Sequence, residues 1–303
     1  MADPVLTLHE LETWSRTGTS LAVLGHPIAH SISPPMHNAA LAELARDDAR
    51  FADWKYFRFD ITPNELPRAL DLLHAKNFRG VNLTVPHKRI AFDRVAQIDP
   101  AARPAGAVNT LRWAEEGWHG FNTDGYGLTA AIQENLGTEF AGHHVILLGA
   151  GGAARGASVE CLQRGCASLW VANRTRENLE QLLATLAAVR PDIPRRGFSP
   201  ASLPTDLPLG AIVVNATSAG LRASDAPPIV LSDLPRPAAV FDMIYNPPLT
   251  PLLAAARDHG WLHANGLSML VHQGAKALEI WSDVPATRTA NTMLRAAHRA
   301  LAR

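Results

Sequence analysis

The sequence predicts an α/β protein built from two successive series of strands and helices, the second around a parallel sheet. Three observations carry this. Strand-like and helix-like runs alternate along most of the 303 residues. In the second half the strand-like runs are short, apolar and β-branched, as in strands buried on both faces. The first of these, His144–Leu148, leads into Gly149-Ala150-Gly151-Gly152-Ala153-Ala154, a GxGxxG/A pattern where a strand gives way to a helix.

Taken in order, residues 1–20 read as a short helical arm with Leu6, Leu8, Leu11 and Trp14 on one loose face. Leu21–Leu24 is a short apolar strand closed by Gly25 and Pro27. Ser33 precedes Pro34 and a run reaching Leu44, so it is expected to be an N-cap with proline at the first helical position. Trp54–Phe59 alternates as a strand does. Thr62-Pro63-Asn64-Glu65 is a capping box opening a helix that runs to Lys76. Val81–Val85 is a third strand stopped by Pro86; Ala107–Trp113 and Trp118–Phe121 are two more, joined by a turn at Glu115–Gly117. A helix over Tyr126–Leu136 bridges to the second series. Its strands are His144–Leu148, Leu169–Ala172, Ala211–Asn215 and Val240–Met243, with helices over Ala153–Arg164 and Arg176–Ala188. Residues 189–209, polar and rich in proline, are expected to be loop, and helices over Leu267–Trp281 and Ala286–Leu301 follow.

The 28 basic and 28 acidic side chains balance, and no run of Lys or Arg breaks the balance. A nucleic-acid or membrane-surface partner is therefore not expected. No apolar run approaches the ~20 residues that span a bilayer, and no signal peptide is visible. The two cysteines, Cys161 and Cys166, form neither a CxxC pair nor a disulfide framework. A soluble, cytoplasmic protein is the expectation. The 13 histidines include no HExxH pattern, so no metal site is expected. His26, His30 and His37 lack acidic or Cys companions and read as ordinary loop or helix histidines.

The glycine loop has a physical reading of its own. The first glycine allows a tight turn, the second lets backbone approach a pyrophosphate, and the small third position packs helix on strand. Amides at the helix N-terminus then supply donors to the phosphates. Gly149, Ala150, Gly151, Gly152 and Ala153 are the candidate residues. After the next strand comes Asn173-Arg174-Thr175, with no acid at positions 172–176. An acid there bonds the ribose hydroxyls of NAD, whereas an Arg accommodates the 2′-phosphate of NADP. The cofactor expected is NADP.

In the first half, polar residues cluster where packing does not require them. The segments are Gly25-His26-Pro27-Ile28-Ala29-His30-Ser31-Ile32-Ser33-Pro34, Gly80-Val81-Asn82-Leu83-Thr84-Val85-Pro86-His87-Lys88, Gly106-Ala107-Val108-Asn109-Thr110 and Gly120-Phe121-Asn122-Thr123-Asp124. With Asn215-Ala216-Thr217-Ser218, Phe241-Asp242-Met243-Ile244-Tyr245-Asn246-Pro247 and Gly266-Leu267-Ser268-Met269-Leu270-Val271-His272-Gln273, the sequence resembles the shikimate dehydrogenase family from about residue 21 to 300.

The resemblance implies roles. Ser31 and Ser33 match the pair whose hydroxyls bind the substrate carboxylate. Asn82, Thr84, Asn109 and Gln273 match residues that bond the ring hydroxyls, and Tyr245 matches a tyrosine lining the cleft. Lys88 and Asp124 match the catalytic pair. Asn173, Arg174, Thr175, Thr217, Ser218 and Gly266 join the glycine loop on the cofactor side. The fold it implies is an N-terminal α/β substrate domain (1–125), a Rossmann-like doubly wound NADP domain (126–264), and C-terminal helices (265–303) packing back on the substrate domain, which brings Gln273 to the substrate. The activity it implies is reversible NADP-dependent reduction of 3-dehydroshikimate to shikimate, by a monomer or homodimer. The chemistry is coherent on its own terms. Hydride addition to a ketone builds charge on oxygen, and an ammonium there stabilises it and supplies the proton. A small polyhydroxylated substrate needs short hydroxyl and amide partners when water leaves.

Singly, these residues have structural readings: Ser33 as an N-cap, Asn82 and Thr84 on a solvent-facing strand, Asn109 in a turn, Asp124 capping the bridging helix. Their joint occurrence in order selects the functional reading. Two details depart from the family or refine it. Arg176-Glu177-Asn178 stands where NADP-preferring members often carry a second basic residue, and Ser33 stands where quinate-oxidising members often have Thr. The alternatives left open are a quinate/shikimate or aminoshikimate dehydrogenase using NAD(P), and a non-catalytic ligand sensor on the same fold.

Overall fold

The computed structural model describes residues 4–222 and 224–302 and divides into two units, Met1–Thr123 with Val271–Arg303, and Asp124–Leu270. In the first unit the elements are α1 (Leu8–Glu12), β1 (Ser20–Gly25), α2 (Ser33–Asp47), β2 (Lys55–Asp60), α3 (Leu66–Ala75), β3 (Gly80–Leu83), α4 (His87–Phe92), β4 (Gln97–Ile98), β5 (Thr110–Ala114) and β6 (Gly117–Phe121). The strands form one mixed sheet in the order β2-β1-β3-β5-β6-β4. β1 pairs in parallel with β2 and β3, with α2 and α3 as crossovers, whereas β3, β5 and β6 run antiparallel. Every residue of β1 is buried, as expected of a strand with partners on both edges and helices over it.

The edge of this sheet explains the arm. Tyr56 N donates to Asn38 Oδ1 (2.9 Å), and Asn38 Nδ2 donates to Tyr56 O (3.0 Å). Leu6 N donates to Arg58 O (3.1 Å), and Asp60 N donates to Leu6 O (2.7 Å). The outward backbone groups of β2 are thus covered rather than left as a template for another strand. The arm expected to be helical over residues 1–20 is helical only in α1, because Leu6 is spent on this bridge to Phe59; residues 1–3 of it lie outside the described residues. Leu6, Leu8, Leu11 and Trp14 do pack together, on the core around Phe59 and Phe78.

The second unit comprises α5 (Asp124–Leu136), β7 (His144–Leu148), α6 (Gly152–Gln163), β8 (Ser168–Ala172), α7 (Arg176–Leu186), β9 (Arg195–Phe198), β10 (Ile212–Asn215), β11 (Ala239–Asp242), α8 (Pro251–Asp258), β12 (His263–Asn265) and the first turn of α9 (Leu267–Ser282). Its sheet, β12-β11-β10-β7-β8-β9, is parallel throughout. Alternate residues feed two cores: Val145 and Leu147 join α5, α6 and α7 on one face, and Ile146 and Leu148 join Leu252, Leu253 and Ala256 of α8 on the other. That is a doubly wound sheet, and its strand order reverses between β7 and β10.

The rest of α9 and helix α10 (Ala286–Leu301) belong to the first unit. Trp281 is fully buried, and its Nε1 donates to Leu111 O (2.9 Å). A Cβ on Gly80 would lie 2.2 Å from that indole nitrogen, so only glycine on β3 admits the ring. Arg79 Nε donates to Trp281 O (3.1 Å). Arg288 of α10 pairs with Glu43 (2.5 Å) and Asp47 (2.8 Å) of α2.

Several local expectations are corrected. Ser33 is the first helical residue rather than the cap; Ile32 is the cap, and Ser33 N donates to Ser31 Oγ (3.3 Å). Glu65 Oε2 accepts from both Thr62 N and Thr62 Oγ1 (2.8 Å each), so the expected box closes around its acid and the helix starts only at Leu66. β3 stops at Leu83, before Thr84 and Val85. The expected loop 189–209 contains β9, an edge strand whose Arg195-Arg196-Gly197 reads as polar because it is half solvated.

Candidate active site

Register brings the polar residues of the first unit onto one face of the sheet. Tyr56 lies opposite Leu21, while Arg58 and Asn82 both lie opposite Val23. Leu21 and Val23 are two apart and so face the same way. Thr110 lies opposite Asn82 on the next strand. Tyr56, Arg58, Asn82 and Thr110 therefore share a face.

Asn82 is fully engaged there. Tyr56 Oη donates to Asn82 Oδ1 (2.8 Å), and Asn82 Nδ2 donates to Thr110 Oγ1 (3.0 Å) and Asn109 O (3.2 Å). Asn109, 2% exposed, is a second hub. Its Oδ1 accepts from Thr123 N (2.8 Å) and Thr110 Oγ1 (3.0 Å), and its Nδ2 donates to Thr123 Oγ1 (3.0 Å) and Gln273 Oε1 (3.3 Å). The alternative of a solvent-facing strand position for Asn82 is thus excluded: it is buried in a hydrogen-bonded array, as a buried amide must be.

The loop after β1 lies over Arg58, whose Nη1 donates to Ala29 O (2.7 Å) and Ser31 O (3.0 Å). His26 Nδ1 sits 2.5 Å from Asp60 Oδ1, and His26 N donates to Val85 O (3.2 Å). The two loops carrying Ser31, Ser33 and Thr84 are therefore stitched together. Ser31, Ser33, Thr84 and Lys88 are half-buried. Lys88 is the second residue of α4, and its carbonyl accepts from Val108 N (3.0 Å), tying that helix to the residue before Asn109.

His37 of α2 stacks on Tyr56 with ring centroids 4.1 Å apart and planes 2° from parallel. It is fully buried, neither ring nitrogen has a partner, and burial pushes its pKa down to about 3. The ordinary value, carried by the unfolded chain, is 6.5, so the unfolded chain binds the extra proton between about 6.5 and 3. This contribution is full above pH 6.5 and falls by about 1.4 kcal/mol per pH unit through that window. Urea unfolding at pH 6.5 and pH 5 should show a stability loss about 2 kcal/mol larger in the wild type than in His37→Asn; equal losses would exclude this proton linkage. His87, also pushed down by burial, acts in the same direction in both proteins.

The second unit holds the other predicted set. Gly149 has φ +111°, and a Cβ there would crowd Thr217 Cγ2 (3.0 Å) and Ala216 O (3.2 Å). The loops after β7 and β10 thus meet where the strand order reverses, the place where such sheets bind dinucleotides. Gly151 is the N-cap of α6 with no side-chain cap, no acid stands in the helix's first turn, and open space surrounds the Cβ positions of Gly151 and Gly152. That cradle fits a pyrophosphate. Asn215 shapes the facing loop: its Oδ1 accepts from Thr217 N (3.0 Å) and Thr217 Oγ1 (2.8 Å), and its Nδ2 donates to Asp242 Oδ1 (3.0 Å). Buried Asp242, its pKa raised by that burial, also accepts from Thr250 Oγ1 (2.7 Å) and Ile244 N (3.0 Å). Asn173 Nδ2 donates to Thr175 O (2.8 Å), Arg174 is exposed, and Arg176 pairs with Glu180 (2.7 Å). Ser218 follows Thr217 in the same loop, Ala150 and Ala153 flank the cradle, and Gly266 packs against the Met243 carbonyl, where a Cβ would lie 2.1 Å away. Tyr245 is half-buried, and burial raises its pKa.

The structure therefore brings Asn82, Asn109 and Gln273 into one bonded array in the first unit, and the glycine loop and Thr217 together in the second. Asp124, the residue after Thr123, opens α5 as the first residue of the second unit. Sequence reasoning gave no role to Tyr56 and Arg58, which lie in a strand with no local signature, and read His37 as an ordinary helix histidine; Thr123, Asn215 and Asp242 stand inside the quoted motifs but were given no role of their own. Among the described residues no group of three or more His, Cys, Asp or Glu could hold a metal ion.

Comparison with known proteins adds the following. Residues 23–111 match the model of the shikimate dehydrogenase substrate binding domain, and residues 266–290 that of the shikimate 5′-dehydrogenase C-terminal domain. The chain is 39% identical over 269 residues to the shikimate dehydrogenase (NADP(+)) of Symbiobacterium thermophilum, covering 87% of this chain and 89% of that one. It resembles shikimate 5-dehydrogenase from Thermus thermophilus, solved with NADP(H) and shikimate, with TM-score 0.79 and 34% identity over 93% of this chain and 99% of that one. It also resembles a ligand-free 5-ketofructose reductase of Gluconobacter sp., with TM-score 0.80 and 31% identity over 92% and 99%.

Proposed function

The chain belongs to the shikimate dehydrogenase family, and from that premise we propose its function: it is an NADP-dependent oxidoreductase that reversibly reduces 3-dehydroshikimate to shikimate. The observation that carries this reading to the residues is the buried array linking Asn82, Thr110, Asn109, Thr123 and Gln273 beside the helix of Lys88. A ring bearing several hydroxyls needs partners of this kind once water is excluded.

NADPH, when bound, would supply the hydride for the ketone carbon. Lys88 is assigned to the ketone oxygen, where its ammonium stabilises the developing charge and delivers the proton. Asp124 is assigned to orient that ammonium and share in the proton transfer. Ser31 and Ser33 are assigned to the carboxylate, on a loop whose carbonyls rest on the Arg58 guanidinium. Asn82, Thr84, Asn109 and Gln273 are assigned to the ring hydroxyls, with Tyr245 lining the site. Asn82 has spent both amide protons inside the protein, so toward a ligand it acts only as an acceptor. Gly149, Ala150, Gly151, Gly152 and Ala153 are assigned to the pyrophosphate, Asn173, Arg174 and Thr175 to the adenosine end, and Thr217, Ser218 and Gly266 to the remainder of the cofactor. We place the reaction in the cytoplasm, a reading supported by two buried free thiols, Cys161 and Cys166. No helix among the described residues is long and apolar enough to cross a membrane.

The test is reduced-nicotinamide absorbance on mixing the protein with shikimate, quinate or fructose, the ketose formed when one ketone of 5-ketofructose is reduced, each with NADP⁺ and NAD⁺. Shikimate with NADP⁺ is the expected fastest pair. Ligand binding without turnover in every pair would make the protein a sensor. Arg174→Ala should raise KM for NADP⁺ about tenfold, as loss of one charge-assisted bond does, and leave KM for NAD⁺ nearly unchanged. Arg174, the second residue after β8, is the guanidinium assigned to the 2′-phosphate. Equal effects on both cofactors would reject that contact.

A further inference from the structure

We propose that Tyr56 is a positioning residue that holds the Asn82 amide, and through it the ring-hydroxyl subsite, in its working orientation; the inference rests on the shikimate reading above. Tyr56 is 1% exposed, and burial raises its phenol well above the ordinary value, so it keeps its proton; the Asn109 carbonyl, which can only accept, takes Asn82 Nδ2 and leaves Oδ1 as the end to which the phenol donates. That bond, Oη to Oδ1 at 2.8 Å, locks the one amide orientation that the Asn109 carbonyl accepts.

The orientation runs through five residues. With Oδ1 turned to Tyr56, Asn82 Nδ2 must face Thr110 Oγ1 and Asn109 O. The Thr110 hydroxyl, already accepting, then donates to Asn109 Oδ1 (3.0 Å). The Asn109 amide nitrogen is thereby directed to Thr123 Oγ1 and to Gln273 Oε1. Gln273 is engaged through its oxygen, which leaves its nitrogen as the end turned away from Asn109. Reversing the Asn82 amide would set its oxygen against the Asn109 carbonyl, oxygen to oxygen, so the array has one consistent orientation.

Tyr56 is well placed to impose it. Its ring is clamped on one face by the parallel His37 ring, with Trp281 beyond both at centroid distances of 5.8 and 6.2 Å. Its backbone is held at both polar atoms by Asn38. α2, which begins at Ser33, thus contributes His37 and Asn38 to hold Tyr56, and Tyr56 in turn orients the amides on β3 and the segment before β5.

The test is steady-state kinetics of the full chain with Tyr56→Phe, which keeps the stacked ring and removes only the hydroxyl. KM for shikimate should rise roughly three- to tenfold, the span of one neutral hydrogen bond, with KM for NADP⁺ unchanged and kcat within about twofold. The rise should shrink on an analogue of shikimate lacking one ring hydroxyl. Thr110→Val, which breaks the next link, should give the same signature, and the double variant should show less than the product of the two effects. Loss of folded protein alone would lower kcat with both KM values fixed, so that pattern overturns the proposal, as does an equal rise in both KM values or no change in either. Wild-type protein that does not oxidise shikimate at all would overturn the functional reading, and this inference with it, before any variant is made.

Discussion

Lys88→Ala lowers turnover by about 10²–10⁴-fold, the range lost when a general acid or base is removed. The expectation follows from where charge develops. The shikimate family's reaction places a growing negative charge on a ketone oxygen, and among the residues assigned to the first unit's site Lys88 is the one bearing a proton on a cation. α4 is tied to the Ala107–Asn109 segment through the Lys88 carbonyl and Val108 N, and the substitution leaves those backbone groups in place. KM for shikimate should move little, because the carboxylate and hydroxyl contacts are assigned to other side chains. A fall in kcat and kcat/KM together is the mark of an interaction made chiefly in the transition state. Unchanged kcat in a folded variant would remove Lys88 from the chemistry and leave the array as a binding site alone.

Trp281→Ala costs about 3–5 kcal/mol of stability, as loss of a fully buried Trp does. The indole fills the space that Gly80 leaves on β3, stands next to the His37–Tyr56 stack, and bonds Leu111 O. Its removal leaves a void and takes away the indole's bond to Leu111 O, two costs of different origin. Because α9 carries Gln273 two turns before Trp281, KM for shikimate should rise as well. Trp281→Phe retains most of the ring and should cost far less. A loss below about 1 kcal/mol for the alanine variant in urea unfolding would mean that the site collapses readily around the missing side chain.

Much of this protein was legible in its sequence. The strand His144–Leu148 and the helix Ala286–Leu301 have the boundaries expected, and the glycine loop lies between β7 and α6 as its pattern requires. The failures among elements fell at caps and short edge segments. Ser33 has the right type and a following proline for a cap, yet Ile32 takes that position and the Ser33 backbone turns to Ser31. β9 escaped notice because an edge strand faces water on one side and carries arginines there. Short α8 and β12 were passed over, although Thr250 caps α8 through Leu253 N (3.3 Å) and Pro251 follows at its first position.

What the sequence determined by itself was the α/β class, the nucleotide loop and the family, because hydrophobic period, turn chemistry and motif order are properties of neighbouring residues. What only the tertiary structure decided was the pairing of residues far apart in the chain. Tyr56 meets Asn82 because β1 sets their register, Gly80 is a glycine because an indole from residue 281 lies on it, and Asn109 meets Gln273 because the chain from Val271 rejoins the first unit. No local pattern encodes such contacts, since a hydrogen bond across strands depends on alignment and closure of the whole sheet rather than on the residues beside it.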